Sequence, residues 1–340
     1  MKLFESYKIK NITLRNRVVM PAMCQYTADT DGFANSWHQL HYGSRAVGGV
    51  GLIIVEATAV EKRGRLSNHD LGIWSDQHIS GLQAIVDLCK SQGACIGIQL
   101  AHAGRKAWGN ELVAPSGIEF SNQFPNPQAL SKQDIAEIIE AWKKGARRAN
   151  QAGFDLLQIH AAHGYLIHQF LSPLANQRHD EYGGSREYRL RFLLEIIAAI
   201  KEEWPAEKIL SVRLSASDYL PGGLEIEDHV YIAQVLKEQG VDIIDVSSGG
   251  ILPVNIETYP GYQVKFAEQI KQAVDIRTIA VGLISQVELA EEIIANQRAD
   301  FVALGRELLR NPYWVLHATE RLSNQYWPEQ YLRARNFTKV

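Results

Sequence analysis

The chain has 340 residues, 46% hydrophobic and 21% charged, with a formal net charge of −3. That is a soluble composition, long enough for one large α/β barrel or two smaller domains, and it offers no basic face for nucleic acid. The opening MKLFESYKIK lacks a signal-peptide core, no apolar run approaches the ~18 residues of a membrane span, and Cys24, Cys89 and Cys95 form no CxxC pair, so a cytoplasmic protein without membrane or nucleic-acid partners is expected.

In chain order, short apolar runs alternate with helix-period segments. RVVM (17–20) and GGVGLIIVEA (48–57) are the first two runs. Leu82, Ile85, Val86 and Cys89 then make a helical stripe closed by Gly93, and GACIGIQL (93–100) follows. The segment 115–130 is rich in turn residues and is expected to be irregular. Over 131–152, Ile135, Ile138, Ile139, Trp142 and Ala146 recur at three and four. Ser131 stands at the N-cap position with Asp134 completing a capping box, and Gly153 closes the helix. GFDLLQIH (153–160) is the next run, followed by the stripe Leu190, Leu193, Ile197 and Ile200, then ILSVRL (209–214). Val230, Ala233 and Leu236 lead to Gly240 and GVDIIDVS (240–247), and RTIAVG (277–282) and RADFVALG (298–305) complete the set.

Runs apolar at nearly every position suit parallel strands buried on both faces. About eight of them, alternating with helices, predict an α/β fold of the (β/α)8 TIM-barrel type. A doubly wound sheet is the alternative, but no GxGxxG follows the first strands. One domain over 1–340 is expected, with a cap at about 1–15 and a tail at about 325–340.

In such a barrel the chemistry gathers at the C-terminal ends of the strands. Those ends supply Pro21, Ala22, Met23, Cys24 and Tyr26, then Glu56 and Ala57, Gln99, and His160 with His163 and Tyr165 just beyond. Next come Arg213, the segment SSGG (247–250), Gly282, and Gly305 with Arg306. Gly282, Gly305 and Arg306 suit a phosphate site between the last two loops, where glycines admit close backbone approach and an arginine adds charge; ordinary strand–helix turns are the other reading. Arg213 interrupts an apolar strand and needs an anionic partner, either a ligand or a structural carboxylate. His160 and His163 could hold a metal, pack as core histidines, or aim two N–H donors at one oxygen with Tyr165 as the proton donor.

The segments LRNRVVMPAMCQYTA (14–28), VEATAV (55–60), GIQLAHAGRKA (97–107), GFDLLQIHAAHGYLIHQFLSPLANQRHDEYGGS (153–185), VRLSASDY (212–219) and GRELLRNP (305–312) closely resemble the old yellow enzyme family. Within it they are similar to the bacterial branch with a cysteine beside the flavin, the NADPH dehydrogenase/xenobiotic reductase type. The resemblance runs from about residue 3 to about 333, and it implies FMN at the C-terminal face of the barrel. By position, Pro21, Ala22, Met23 and Cys24 would line the flavin, and Ala57 and Gln99 its ring edge. Arg213 would face the N1/C2 carbonyl end, and Gly282, Gly305 and Arg306 the phosphate. His160 and His163 would hold a substrate carbonyl oxygen, Tyr165 would donate the proton, and Tyr26 would reach the substrate.

The implied activity is that of an ene-reductase. NADPH, or NADH, gives hydride to flavin N5, and an α,β-unsaturated carbonyl compound takes it at the β-carbon; nitro compounds are further acceptors. The resemblance implies a homodimer or homotetramer, and in close relatives a C-terminal arginine reaches a neighbour's site. Arg333 is the best match here and Arg335 the second. The compact segment 108–116 borders the pocket and bears on substrate range. A dienoyl-CoA reductase with an iron–sulfur centre and a second nucleotide domain is not expected from this chain, which has no cysteine cluster. A metal-dependent barrel hydrolase and a non-catalytic flavin-binding protein are the remaining rivals.

Overall fold

The eight apolar runs do form strands, because only a parallel sheet covered on both faces buries such runs without leaving backbone groups unpaired. They are β1 (Val18–Met20), β2 (Leu52–Ala59), β3 (Cys95–Ala101), β4 (Leu156–Ala161), β5 (Ile209–Ser215), β6 (Ile243–Ser247), β7 (Arg277–Ala280) and β8 (Phe301–Ala303). In the computed structural model, which describes residues 1–109, 111–320 and 326–334, each strand pairs in parallel with the next and β8 returns to β1, closing an eight-stranded barrel. A helix follows every strand, from Ser36–Val47 after β1 to Arg306–Arg310 after β8. This is the expected (β/α)8 barrel.

The local signals act as read. The Ser131 hydroxyl accepts the Asp134 N–H at 3.1 Å while the Asp134 carboxylate accepts the Ser131 N–H at 2.9 Å. That box starts the helix Lys132–Gln151, and Gly153 just beyond its end takes φ +89. The segment 115–130 is irregular except that Gln128–Ala129 pairs with Val113–Ala114. Four strands overrun the expected ends, reaching Ala59, Ala101, Ala161 and Ser215. The eighth is shorter than its run, since only Phe301 and Val302 find partners on β7.

Side chains alternate between two cores. Outward residues such as Ile53, Ile98, Leu157 and Val212 pack with helix residues including Leu82, Ile85, Trp142 and Ile197. Inward residues Val19, Leu52, Ile54, Leu156, Ile209, Ile243, Ile279 and Phe301 fill the lower barrel. These lie toward the N-terminal ends of their strands, and the hairpin Tyr7–Ile9/Ile12–Leu14 inserts Ile9 and Leu14 among them. The start of the chain thus stoppers the barrel end opposite the catalytic face. Glu291 fixes it by accepting the N–H groups of Lys2 and Leu3, each at 2.9 Å. Among the described residues no helix is long and apolar enough to cross a membrane.

Phe301 is fully buried and meets the Tyr7 ring edge-on at 5.0 Å. Phe301→Ala is expected to destabilise the fold by about 3–5 kcal/mol, read as a lower urea midpoint at unchanged slope.

Candidate active site

Higher in the barrel the inward positions turn polar. Gln99 on β3, Gln158 on β4, Ser211 and Arg213 on β5 and Asp245 on β6 are all buried. Such groups must satisfy one another. Gln99 Nε2 donates to Gln158 Oε1 at 2.7 Å, Gln158 Nε2 donates to Asp245 Oδ2 at 3.2 Å, and Arg213 Nε lies 3.3 Å from that same oxygen. Burial pushes the Asp245 carboxyl up from the usual carboxylate range, while the Arg213 charge and the Gln158 amide oppose that rise.

Arg213 also lines a cavity of ≈ 410 Å³ at the C-terminal face, between the loops after β1, β6, β7 and β8. Pro21, Ala22, Met23, Gly282, Gly305 and Arg306 line it too, so seven of the residues singled out in the sequence meet here. Gly282 has φ +137, which a residue with a Cβ rarely adopts. Gly305 has an ordinary φ of −75, but a Cβ there would stand 3.6 Å from Met23 Sδ in the cavity wall. Arg310, also at the cavity, is paired with Glu307 at 2.6 Å, whereas Arg306 has no ion pair among the described residues.

Ser247, at the end of β6, connects this cavity to the histidine pair, its Oγ lying 2.7 Å from His163 Nε2. The His160 and His163 rings are perpendicular, with centroids 5.2 Å apart, and the Tyr165 ring lies 4.8 Å from His160. His160 Nδ1 accepts the Ala162 N–H at 3.3 Å, which puts the ring proton on Nε2. Burial first, and then the Arg213 charge, hold both imidazoles well below the ordinary histidine range, so both are neutral near pH 7. Burial and the neighbouring Cys24 and Tyr26 push the Tyr165 phenol well above its usual value, so it keeps its proton. Among the described residues no three His, Cys, Asp or Glu side chains converge as metal ligands would.

The loop after β1 is set from behind by Glu56. The register slips between Val55 and Ala57, a bulge of the kind that re-aims side chains beside active sites. Ala57 is thereby brought opposite Gln99, while Glu56 is fully buried. Its carboxylate accepts the Gln25 N–H at 2.7 Å and the Tyr42 hydroxyl at 3.2 Å, with His38 Nε2 at 3.4 Å. Cys24 precedes that anchored amide. Burial, Asp70 and Glu56 push its thiol up to about 12, and the Tyr26 hydroxyl lies within hydrogen-bonding reach of it.

Sequence reading passed over Lys106 although it lies within a quoted motif. Its ammonium binds the His163 carbonyl at 2.9 Å and the Gly250 carbonyl at 3.4 Å, and it stands 4.9 Å from the Tyr165 ring centroid. Burial, with Arg105 beside it, lowers its pKa to about 8. Arg105 is fully buried and ties Ile118 and Glu119 of the irregular segment to Ile251 through their carbonyls. Gln158 and Asp245 belong to the site without being marked by the sequence reading, whereas Glu56 and Ser247 stand among the strand ends named there with no role assigned. For Asp245 the signal was present, a charged residue at an inward position of an apolar strand, just as for Arg213.

Non-glycine residues with left-handed backbone fall into two groups. Lys10, Asp275 and Gln297 lie in turns at the N-terminal side of the barrel, while Tyr26, His163, Tyr219 and Leu283 lie in loops at the catalytic face. Arg333 is exposed in the short turn Glu329–Ala334 and is not among the residues lining the cavity; Arg335 lies outside the described residues.

Known proteins share this arrangement of chain and fold. Residues 2–325 match the NADH:flavin oxidoreductase / NADH oxidase family. The chain is 57% identical over 322 residues to an NADPH dehydrogenase from Geobacillus sp. (strain WCH70), covering 94% of each. The old yellow enzyme homologue from Zymomonas mobilis is similar with a TM-score of 0.83 at 26% identity, covering 100% of both chains. A complex of 2-naphthoyl-CoA reductase with 2-naphthoyl-CoA is similar with a TM-score of 0.89 at 26% identity; 94% of this chain is covered, and it spans about half, 52%, of that longer protein. With the family match running nearly end to end, the chain belongs to the NADH:flavin oxidoreductase / NADH oxidase family and is an FMN-dependent oxidoreductase of the old yellow enzyme type.

Proposed function

We propose that this enzyme is an NADPH dehydrogenase that reduces the activated C=C bond of α,β-unsaturated carbonyl compounds. The observation that carries the reading is the pair of neutral imidazoles packed edge to face with a protonated Tyr165, joined through Ser247 to a cavity that holds Arg213 and Arg306. NADPH rather than NADH follows the name of the Geobacillus relative.

The residues fit FMN. Gly282 lines the cavity with a φ of +137, a backbone that residues with a Cβ rarely adopt, and Gly305 lines it without a side chain. Arg306 brings a charge with no protein counter-ion among the described residues, as a phosphate requires. Gly282, Gly305 and Arg306 would hold the phosphate. Pro21, Ala22, Met23, Cys24, Ala57, Gln99 and Arg213 would hold the ring. Bound there, FMN supplies two-electron hydride transfer between a nicotinamide and an acceptor.

The chain's own part is binding, polarisation and proton delivery. His160 offers Nε2–H. With the Ser247 hydroxyl donating its hydrogen bond to His163 Nε2 at 2.7 Å, His163 carries its own proton on Nδ1. Two N–H donors can then share one carbonyl oxygen and stabilise the negative charge that grows on it. Neutral donors serve this role because they remain donors when the oxygen is uncharged. Tyr165 holds the proton destined for the α-carbon, and burial keeps it from escaping to solvent. Tyr26, about half exposed, borders the substrate space. Cys24 would face the ring as a neutral thiol.

The first test is the visible spectrum of the anaerobic protein. Flavin bands are expected to bleach with NADPH and return with 2-cyclohexenone. A flavin that NADPH cannot bleach would return the protein to a binding role, and a colourless protein that takes up no FMN would revive the metal reading of the histidines. Tyr165→Phe is expected to slow the return step by about 10²–10⁴-fold while leaving the NADPH step near wild type.

The histidines make a second prediction. Because their folded pKa values lie below the ordinary value, they stay neutral in the fold and gain protons only on unfolding as pH falls. The dissociation constant of 2-cyclohexenone is expected to show no histidine step between about pH 6 and 8. The stability they contribute is expected to be complete above about pH 6.5 and to be lost progressively below it, read as a falling unfolding midpoint.

A further inference from the structure

Inside the barrel, a run of buried polar side chains joins two walls of the site. Gln99 gives an Nε2 hydrogen to Gln158 Oε1 at 2.7 Å. Gln158 gives Nε2 hydrogens to Asp245 Oδ2 at 3.2 Å and to Ser211 Oγ at 3.4 Å. Arg213 Nε stands 3.3 Å from the same Asp245 oxygen. A carboxylate can only accept. Gln158 must therefore turn its NH₂ toward Asp245, which turns its carbonyl toward Gln99. Gln99 must in turn direct its NH₂ inward, and its Oε1 is the group left over. Among the described residues no protein donor reaches that oxygen, and none accepts from the terminal nitrogens of Arg213, a residue on the cavity wall.

We propose that Asp245 is a positioning residue that fixes the polarity of both ends of this chain, so that Gln99 presents a carbonyl acceptor and Arg213 presents N–H donors to the cofactor. A wall with that polarity takes a ligand edge carrying an N–H beside a carbonyl, as the imide edge of a flavin does. Reversed, the chain would set an NH₂ donor against the ligand's own N–H. Asp245 also offsets the Arg213 charge, and so limits how strongly that charge favours negative charge on the reduced ring. The inference rests on the FMN reading above. A pair that served folding alone would alter stability when broken without changing how the flavin is held or how readily it is reduced.

The test uses full-length holoprotein as wild type, Asp245→Asn and Gln158→Leu. Flavin dissociation is followed by the fluorescence of FMN released on dilution, and the two-electron midpoint potential is measured alongside. Asp245→Asn is expected to weaken FMN binding at least tenfold. It is also expected to move the reduced-to-oxidised ratio at a given potential at least tenfold toward reduced, about 30 mV for a two-electron couple. Gln158→Leu keeps the Arg213–Asp245 pair, and is expected to weaken FMN comparably with the ratio within threefold of wild type. A folded Asp245→Asn protein that matches wild type in both measurements overturns the proposal. Should Asp245→Asn fail to fold, Gln158→Leu decides: wild-type FMN binding overturns the proposal, and weakened binding at an unmoved potential supports it. A wild-type protein that neither carries nor takes up FMN overturns the cofactor reading itself.

Discussion

A guanidinium inside a barrel is the constraint on which the rest of this site depends. Arg213 points inward from a strand whose other inward positions are Ile209, Ser211 and Ser215, and it is buried with Asp245 as its one ion-pair partner among the described residues. A charge in so dry a place must be answered, and Asp245 answers it in part. The remaining positive field spreads over the face of the barrel. It depresses the basicity of His160 and His163, and it opposes the rise that burial imposes on the Tyr165 phenol. It also makes the neighbouring cavity suited to an electron-rich ligand. One cation thus bears on the protonation states of three groups on a different strand and loop.

The loops around that cation are held by backbone carbonyls rather than by surface ion pairs. Lys106 gathers the carbonyls of His163 and Gly250, and Arg105 those of Ile118, Glu119 and Ile251. The two backbones meet so closely that a Cβ on Gly164 would lie 2.0 Å from the Gly250 oxygen, and one on Gly250 2.7 Å from His163 Cα. Glycine is required at both positions because main chain packs on main chain. The outcome is a closely packed corner from which His163 and Tyr165 project, and in the proposed function such packing holds groups that would meet a developing charge at hydrogen-bond distance.

Much of this was legible in the sequence because burial leaves a periodic trace. Runs such as LIIVEA and IIDVS mark strands covered on both faces, and the stripe from Ile135 to Ala146 marks the helix beside them. Gly282 and Arg306 could be placed at one cavity because the order of elements puts the last two strand ends side by side. What escaped notice depends on contacts distant in sequence. The bulge at Glu56 comes from pairing with β3 and from the demands of Tyr42 and Gln25, and a run of apolar letters records neither. The hairpin that stoppers the barrel is too short for its Ile9 and Leu14 to announce where they go. Nothing in the sequence marks Lys106, because the surroundings of a loop residue depend on what folds over it.

Left-handed backbone at Tyr26 and His163 has a bearing on how this enzyme can diversify. Only glycine, asparagine, aspartate and a few other residues tolerate that region readily, and β-branched side chains do so poorly. In the proposed function both residues border the substrate space, where altered specificity would be sought. The vocabulary open to mutation there is therefore set by the main chain before any substrate is considered. Variants recovered at those two positions from a randomised library will carry the imprint of backbone geometry, and an asparagine or glycine enriched there is no evidence by itself of a new contact with a ligand. The wider range of novelty lies at neighbours in extended or helical backbone, where the side chain can change without disturbing the turn beneath it.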